Sequence, residues 1–440
     1  MQTIRTDQSR LRVFQPGQPR DGYDEPVVIT GIGMITSVGH DRESVWRAIQ
    51  SGVTGIRALR GVSGIPDFLT IGAVVDLPRD FPGQLKVTQL ARIAAAEAIA
   101  DSRIDLETVD PDRFGCAISG HMGDTQWWAH RIAPNPGDHF AHFLPDQWMP
   151  HSACSSIARQ FRLQGPRICH STACASGLID IMSAVRSIRD GQCDLALAGS
   201  AEAIDPLFAA GFKQMRVLAE HAIPAEACRP FDRHRSGFVM GEGGAMFVLE
   251  RLSHARQRGA TIYAEIVSGK MLADAHHMTG LDIESDALSR LINETLRAGS
   301  VVPDDIGYIN AHGTGTAQND LMETRGIRRS FGKAADTVCV SSTKAILGHL
   351  VNASGSVELA LTTLSLRDGF VPATANLTSP DPECDLDCVP LVGRVLRHQH
   401  ALKLSLAFGG HLVAVLLRRW NDAQSGFAYP AAAASADKAA

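Results

Sequence analysis

No stretch of this chain approaches the ~18 consecutive apolar residues that a membrane-spanning helix needs, and its nine cysteines include no CxxC pair. The first absence excludes a helical transmembrane protein; the second argues against zinc ribbons and thioredoxin chemistry. Charge of one sign is also lacking. With 42 basic and 47 acidic residues the net charge is −5, which gives no bulk reason to expect nucleic acid or an anionic membrane as a partner. The first 26 residues are polar, with Pro16, Pro19 and Pro26 but no apolar core of a secretion signal. Nine cysteines in 440 residues are not a disulfide framework, and free thiols fit a reducing cytoplasm.

What is present is an ordinary globular composition, 45% hydrophobic and 20% charged. VVIT (27–30) reads as a buried strand, and Gly31-Ile32-Gly33 after it as a tight turn. The glycines resemble the start of a dinucleotide fingerprint, but Thr36 stands where the third glycine belongs. Asp41 is placed to cap a helix ending before Gly52. Residues 86–101 are helical by alanine content and spacing. GCAIS (115–119) and DLALAGS (194–200) are strand-like and alternate with helical stretches, the signature of an α/β protein. The scheme then repeats: TIYAEIVSG (261–269), a helix over about 285–298, the strand IGYINAHG (306–313), a further helix, the strand TVCVSS (337–342) and a helix over about 353–367. Ala175-Ser176-Gly177 is echoed by Ala353-Ser354-Gly355, each opening an apolar helix after a strand. A duplicated fold is predicted, with halves at 27–261 and 262–420, an N-terminal extension over 1–26 and an alanine-rich, disordered tail over 421–440.

Cys174 stands where an extended segment gives way to the helical LIDIMSAVRSI. A buried structural cysteine is the plainer reading of that position alone. The chemical reading is a nucleophile at a helix start, where free N–H groups and the macrodipole favour a thiolate and the Cys174 N–H can face a developing oxyanion. His312 in NAHGTGT and His349 in STKAILGHL both follow strands, in glycine-broken loops. Two neutral imidazoles donating Nε–H to one thioester oxygen would stabilise an enolate. Cys384 and Cys388, in a loop rich in proline and aspartate, and His139 with His142 are weaker candidates for a pair or a metal remnant.

These residues carry a resemblance. TACASG, CRPFDRHRSGFVMGEGG (228–244), DAHHMTG (274–280), NAHGTGTAQND (310–320), SSTKAILGHL (341–350) and LAFGG (406–410) occur in order. The chain resembles the elongating β-ketoacyl-(acyl carrier protein) synthases from about Val27 to about Arg419. That implies the thiolase fold, an α/β protein of duplicated halves in a layered αβαβα core. It implies acyl transfer to Cys174, then decarboxylative Claisen condensation with malonyl carried on acyl carrier protein. Position by position, His312 and His349 bind the malonyl carbonyl, and Lys344, ion-paired with Glu323, orders the site. Thr314 and Thr316 contact the phosphopantetheine arm. Phe408 is the gate, and its N–H joins that of Cys174 in the oxyanion hole; Gly409 and Gly410 flank it. Asp320 is a supporting acid. No cofactor is implied beyond the phosphopantetheine on the carrier protein. The implied partners are that carrier and acyl and malonyl thioesters, in a cytoplasmic homodimer whose strand near DLALAGS pairs with its symmetry mate.

The chain departs from the family's pattern at several places. Ala407 precedes the gate phenylalanine where glycine is usual, and His411-Leu412 replace Thr-Asn. Residues 119–150 contain His121, Trp127, Trp128 and Trp148; His121 and Trp148 fall near pocket-lining positions, which implies either an atypical, short or polar acyl chain or packing of the tryptophans in an interface. The carrier-docking stretch holds only Arg79, Lys86 and Arg92, with Arg216 as one further charge. A weaker basic patch slows encounter with an acidic carrier. Two rival readings remain: an inactive chain-length-factor-like partner, which would lack the nucleophile, and a thiolase-like CoA enzyme, which would place a second cysteine near LAFGGHL.

Overall fold

Among the described residues ten strands form one continuous mixed sheet whose order records an internal duplication. In a computed structural model, residues 25–62, 64–77, 84–120 and 149–421 are described. The strands are β1 (Val27–Thr36), β2 (Phe114–Ser119), β3 (Arg167–Ile168), β4 (Leu195–Glu202), β5 (Gly243–Arg251), β6 (Ala264–Ala273), β7 (Ile306–Asn310), β8 (Cys339–Ser341), β9 (His400–Ala407) and β10 (His411–Arg419). Across the sheet they run β8-β7-β9-β10-β6-β1-β5-β4-β2-β3. Outward from the centre, each half follows the same sequence: first strand, fifth, fourth, second, third. Within the sheet the two halves are joined through only three residue pairs, from Val27↔Ile266 to Ile29↔Ala264. The expected division at 261/262 falls in the link between α6 (Leu252–Gln257) and β6.

The helices repeat in step. On one outer face lie α2 (Lys86–Ser102) and α3 (Ser152–Phe161); on the other lie α7 (Ala287–Ala298) and α8 (Ala317–Phe331). Between the half-sheets run α4 (Ser176–Arg189) and α10 (Ser354–Asp368), buried nearly all round. This is the thiolase-like layering. Each middle helix is opened by a 3-10 turn, Ala173–Ala175 and Val351–Ala353. The Ala-Ser-Gly echo explains itself in the packing. A Cβ on Gly177 would lie 3.0 Å from Ser356 N, and one on Gly355 would lie 2.9 Å from Leu178 Cγ, so glycine at both places lets the two helices touch.

Two sequence expectations are corrected. Gly31-Ile32-Gly33 is no turn: β1 continues through both glycines to Thr36, fully buried. A Cβ on Gly31 would stand 2.3 Å from Ala98 O, and one on Gly33 2.0 Å from Ala94 O. The glycines clear a bed for α2, whose alanines Ala91, Ala94, Ala95 and Ala98 are buried. The strand of DLALAGS is also not free to pair across a dimer axis. As β4 it bonds β5 on one side and β2 on the other, so its backbone groups are committed; the edge strand of that half is β3.

Asp41 does cap α1 (Arg42–Gln50), accepting from Ser44 N at 2.8 Å. The nine cysteines are all unpaired, and Cys384 and Cys388 are buried apolar residues. Among the described residues no helix is long and apolar enough to cross a membrane. The extension over 1–24, Arg79, His121, Trp127, Trp128, His139, His142, Trp148 and the tail from 422 lie outside the described residues.

Candidate active site

Three strand-to-helix transitions deliver the site. The turn Ala173–Ala175 brings Cys174 to the head of α4; the loop after β7 brings His312; the loop after α9 (Lys344–Leu347), which follows β8, brings His349. The turns carrying the chain past the thiol and past His349 are strained alike, with Ala173 at φ 47° and Val351 at φ 41°. Left-handed φ is costly for any residue with a Cβ and most of all for a β-branched one. One donor atom from each of Cys174, His312 and His349 lies within 4.8 Å of the others. The rings are 5.3 Å apart and nearly perpendicular. All three side chains are buried yet border a cavity of about 300 Å³, shared with Phe238, Thr314, Thr316, Arg216 and Phe408.

Hydrogen bonds fix the imidazole tautomers. His349 Nδ1 accepts from Val351 N at 3.1 Å and lies 2.8 Å from Ser354 Oγ. His312 Nδ1 lies 3.4 Å from Lys344 Nζ, which can only donate. Each neutral ring therefore carries its proton on Nε2. Burial and the Lys344 ammonium hold both imidazoles well below the usual histidine range, so they are neutral at pH 7. Cys174 is pushed up to about 12 by burial, against the smaller opposing pull of Lys344. Burial of the sulfur thus works against the thiolate expected at a helix start, because desolvation disfavours the charged form.

Lys344 is completely buried, but its partner is not Glu323. Its Nζ meets Glu358 Oε1 at 2.6 Å and donates to His312 O at 2.6 Å. Glu323 instead accepts from His312 N at 2.6 Å and Gly313 N at 2.8 Å. It sits about two turns into α8, the helix that follows the loop it holds, and burial raises its carboxyl to about 7. Asp320 is buried away from the cavity lining. It accepts from Phe231 N at 2.8 Å and Gly315 N at 3.2 Å, and lies 3.7 Å from Arg235 Nε, tying the 229–235 segment to the Gly-Thr-Gly-Thr loop. Thr314 and Thr316 line the cavity with their hydroxyls 2.9 Å apart. Phe408 is half-buried and packs on Phe212, centroids 6.3 Å apart. Gly409 and Gly410 follow at φ 88° and 77°, and Gly409 N donates to Met278 O at 2.8 Å, anchoring this loop to DAHHMTG.

Of the cations expected at a docking surface, Lys86 is engaged inward, 2.5 Å from Glu242, whereas Arg216 is exposed at the cavity mouth. Sequence reasoning missed Glu358 and Lys403. Glu358 is the lone buried acid of α10, and Lys403 the lone lysine or arginine of apolar β9. That isolation was the available signal, since a charge within a buried apolar run must find its opposite.

The site can therefore donate two Nε2–H groups toward one oxygen beside a buried thiol. Comparison with known proteins agrees with such chemistry. Residues 24–255 match the beta-ketoacyl synthase N-terminal domain and residues 263–378 its C-terminal domain. The chain is 39% identical over 422 residues to the tetracenomycin polyketide synthase ketoacyl synthase alpha subunit of Streptomyces glaucescens, covering 91% of this chain and 99% of that one. It is 35% identical to 3-oxoacyl-[acyl-carrier-protein] synthase 2 of Coxiella burnetii, over 90% and 99% of the two chains. Among solved structures, a type II polyketide acyl-carrier protein in complex with its ketosynthase, bound to a hexaketide, superposes with a TM-score of 0.81 at 31% identity, covering 90% of this chain and 100% of that one. The ishigamide ketosynthase/chain length factor superposes with a TM-score of 0.82 at 27% identity, with the same coverage.

Proposed function

This chain belongs to the β-ketoacyl synthase family of the thiolase superfamily and is an acyltransferase of fatty-acid or polyketide synthesis; from that premise we propose how its residues divide the condensation. In the first half-reaction the Cys174 sulfur attacks the acyl thioester carbonyl. A C–S bond forms, the carrier's C–S bond breaks, and the thiol proton leaves with the phosphopantetheine sulfur. The N–H groups of Cys174 and Phe408 receive the transient oxyanion. In the second half-reaction malonyl loses CO₂, the electron pair passes into the thioester, and the enolate oxygen takes hydrogen bonds from His312 and His349. The nascent carbanion attacks the Cys174 thioester, the new C–C bond forms, and the departing sulfur takes one proton from water.

The observation that carries this reading is the paired tautomer. Both Nδ1 atoms are met by donors, so both Nε2–H groups are available to one oxygen beside the sulfur. Preorganised donors of this kind supply about 10²–10³ each. Thr314 and Thr316 bind the pantetheine arm near Arg216, and Glu323 and Lys344 hold the His312 loop. The carrier protein delivers both substrates. Self-association as a homodimer in the cytoplasm completes the proposal; unpaired cysteines support the location, and native mass measurement separates a homodimer from pairing with a second, chain-length-factor-like chain.

The test is acylation by an acyl-carrier thioester, read as a mass shift, with malonyl decarboxylation measured separately. Cys174→Ala should abolish the adduct. His312→Ala and His349→Ala should each spare the adduct but cut decarboxylation by about 10²-fold. An adduct persisting in C174A, or unchanged decarboxylation in both histidine variants, would sink the assignment.

A further inference from the structure

Asp180, on α4 beyond Cys174, is a fully buried acid that the condensation does not use. Its Oδ1 accepts twice from one residue upstream of the thiol, from His170 N at 3.2 Å and from the His170 ring, whose Nδ1 lies at 2.6 Å. Burial pushes the Asp180 carboxyl up, and the bond from His170 is the largest pull the other way. The internal duplication gives this acid a twin. Ser176 and Asp180 stand a helical turn apart on one face of α4, as Ser354 and Glu358 do on α10. On α10 the serine hydroxyl lies 2.8 Å from His349 Nδ1, and the acid lies 2.6 Å from Lys344. On α4 the serine hydroxyl accepts from Thr172 N at 2.9 Å and donates to Ala173 O at 2.8 Å, while the acid grips His170. Each middle helix thus turns a serine and an acid toward the loop that carries a reacting side chain.

We propose that Asp180 and His170 are positioning residues for the nucleophile: the carboxylate, fixed on α4, ties down the segment that enters the Cys174 turn and so sets where the sulfur and the Cys174 N–H face the cavity. That turn needs tying down. Ala173 sits at φ 47°, a conformation that persists only where the surroundings over-determine it. Ser176 holds the segment at Thr172 and Ala173, and Asp180 holds it at His170. The contact is made by a directed N–H of the ring, so a neutral side chain with a donor at the same place can replace the imidazole. The proposal rests on the reading of Cys174 as the acylated residue. It follows that the pair serves acyl transfer at Cys174 and not malonyl decarboxylation, whose two imidazoles are held from the other half.

The test separates the two half-reactions. The rate of Cys174 acylation by an acyl-carrier thioester is read as a mass shift, and malonyl decarboxylation is read in a Cys174→Ala background, where no condensation follows. His170→Leu, which removes the ring donor, should slow acylation at least ~10-fold, as misplacement of a reacting group gives, and should leave decarboxylation unchanged. His170→Asn, whose side-chain N–H can stand where Nδ1 stood, should restore acylation to near the wild-type rate. Asp180→Leu should match His170→Leu, and the double variant should be no slower than either, because the two residues act as one pair. Acylation at the wild-type rate in His170→Leu overturns the positioning role, as does a fall of both half-reactions together, which is what a merely structural loss would give. His170→Asn as slow as His170→Leu overturns the directed hydrogen bond. These results are distinct from failure of the Cys174 reading itself, which shows as an adduct persisting in Cys174→Ala.

Discussion

Glu358 is the sharpest point at which to perturb this protein, because one carboxylate answers two ammoniums. Lys344 and Lys403 lie 2.6 and 2.7 Å from its two oxygens, and all three side chains are buried. Glu358→Gln keeps shape and volume but leaves two like charges facing a neutral amide. Two unit charges ~4 Å apart repel by about 4 kcal/mol at an effective dielectric of 20, and removing one partner of a buried pair costs about 3–5 kcal/mol. Lys344→Met leaves Lys403 and Glu358 as a neutral pair. Its cost is the His312 carbonyl left without its donor, about 1–3 kcal/mol. Urea denaturation should therefore rank wild type above K344M and K344M above E358Q. Raising the pH refines the test. Lys403 titrates at about 8 rather than 10.5, because burial disfavours its charge. Between 8 and 10.5 the folded chain has released a proton that the unfolded chain keeps, so this group's contribution to stability rises across that window. Relative to wild type, the E358Q penalty should shrink by about 1 kcal/mol between pH 7 and 9 as wild type gives up the Lys403 charge. The K344M penalty should grow, since Lys403 no longer has a like charge beside it and holds its proton longer. E358Q as stable as K344M, or penalties flat with pH, would refute the account of the buried cluster.

Glu323 offers a second pH signature. Its carboxyl is raised to about 7 by burial, so the folded chain keeps a proton between roughly 4.5 and 7 that the unfolded chain has lost. That contribution is full below 4.5 and is gone once the pH passes 7; Glu323→Gln should remove the corresponding slope in urea midpoints between pH 5 and 8, and parallel slopes would contradict it. For Cys174, held up to about 12, iodoacetamide alkylation should rise about tenfold per pH unit from 7 to 10, following the thiolate fraction; a plateau near neutrality would mean the local dipoles win after all. Gly33→Ala drives a methyl to 2.0 Å from Ala94 O, and overpacking of this kind costs about 1–3 kcal/mol or more; a melting temperature equal to that of wild type would mean α2 can lift off β1 freely.

The amino-acid sequence alone determined much of this protein. Alternating strand and helix patterns marked the α/β class, and the Ala-Ser-Gly echo marked the duplication, because each half must open a buried helix against its twin. Cys174, His312 and His349 were legible because each follows a strand in a small-residue loop, the local chemistry that exposes a side chain to a cleft. What the chain order did not carry was partnership at a distance. Lys344 and Glu323 were natural partners by motif, yet Glu323 is used by two backbone N–H groups next to it in space, and Lys344 turns to Glu358 on the middle helix. Gly31 and Gly33 read as a turn because glycine permits one; only the packing of α2 shows that they were chosen for having no side chain. The upward push on the Cys174 thiol is likewise a tertiary effect, since the dipole at a helix start is local whereas the desolvation that opposes the thiolate comes from every layer closed over the sulfur.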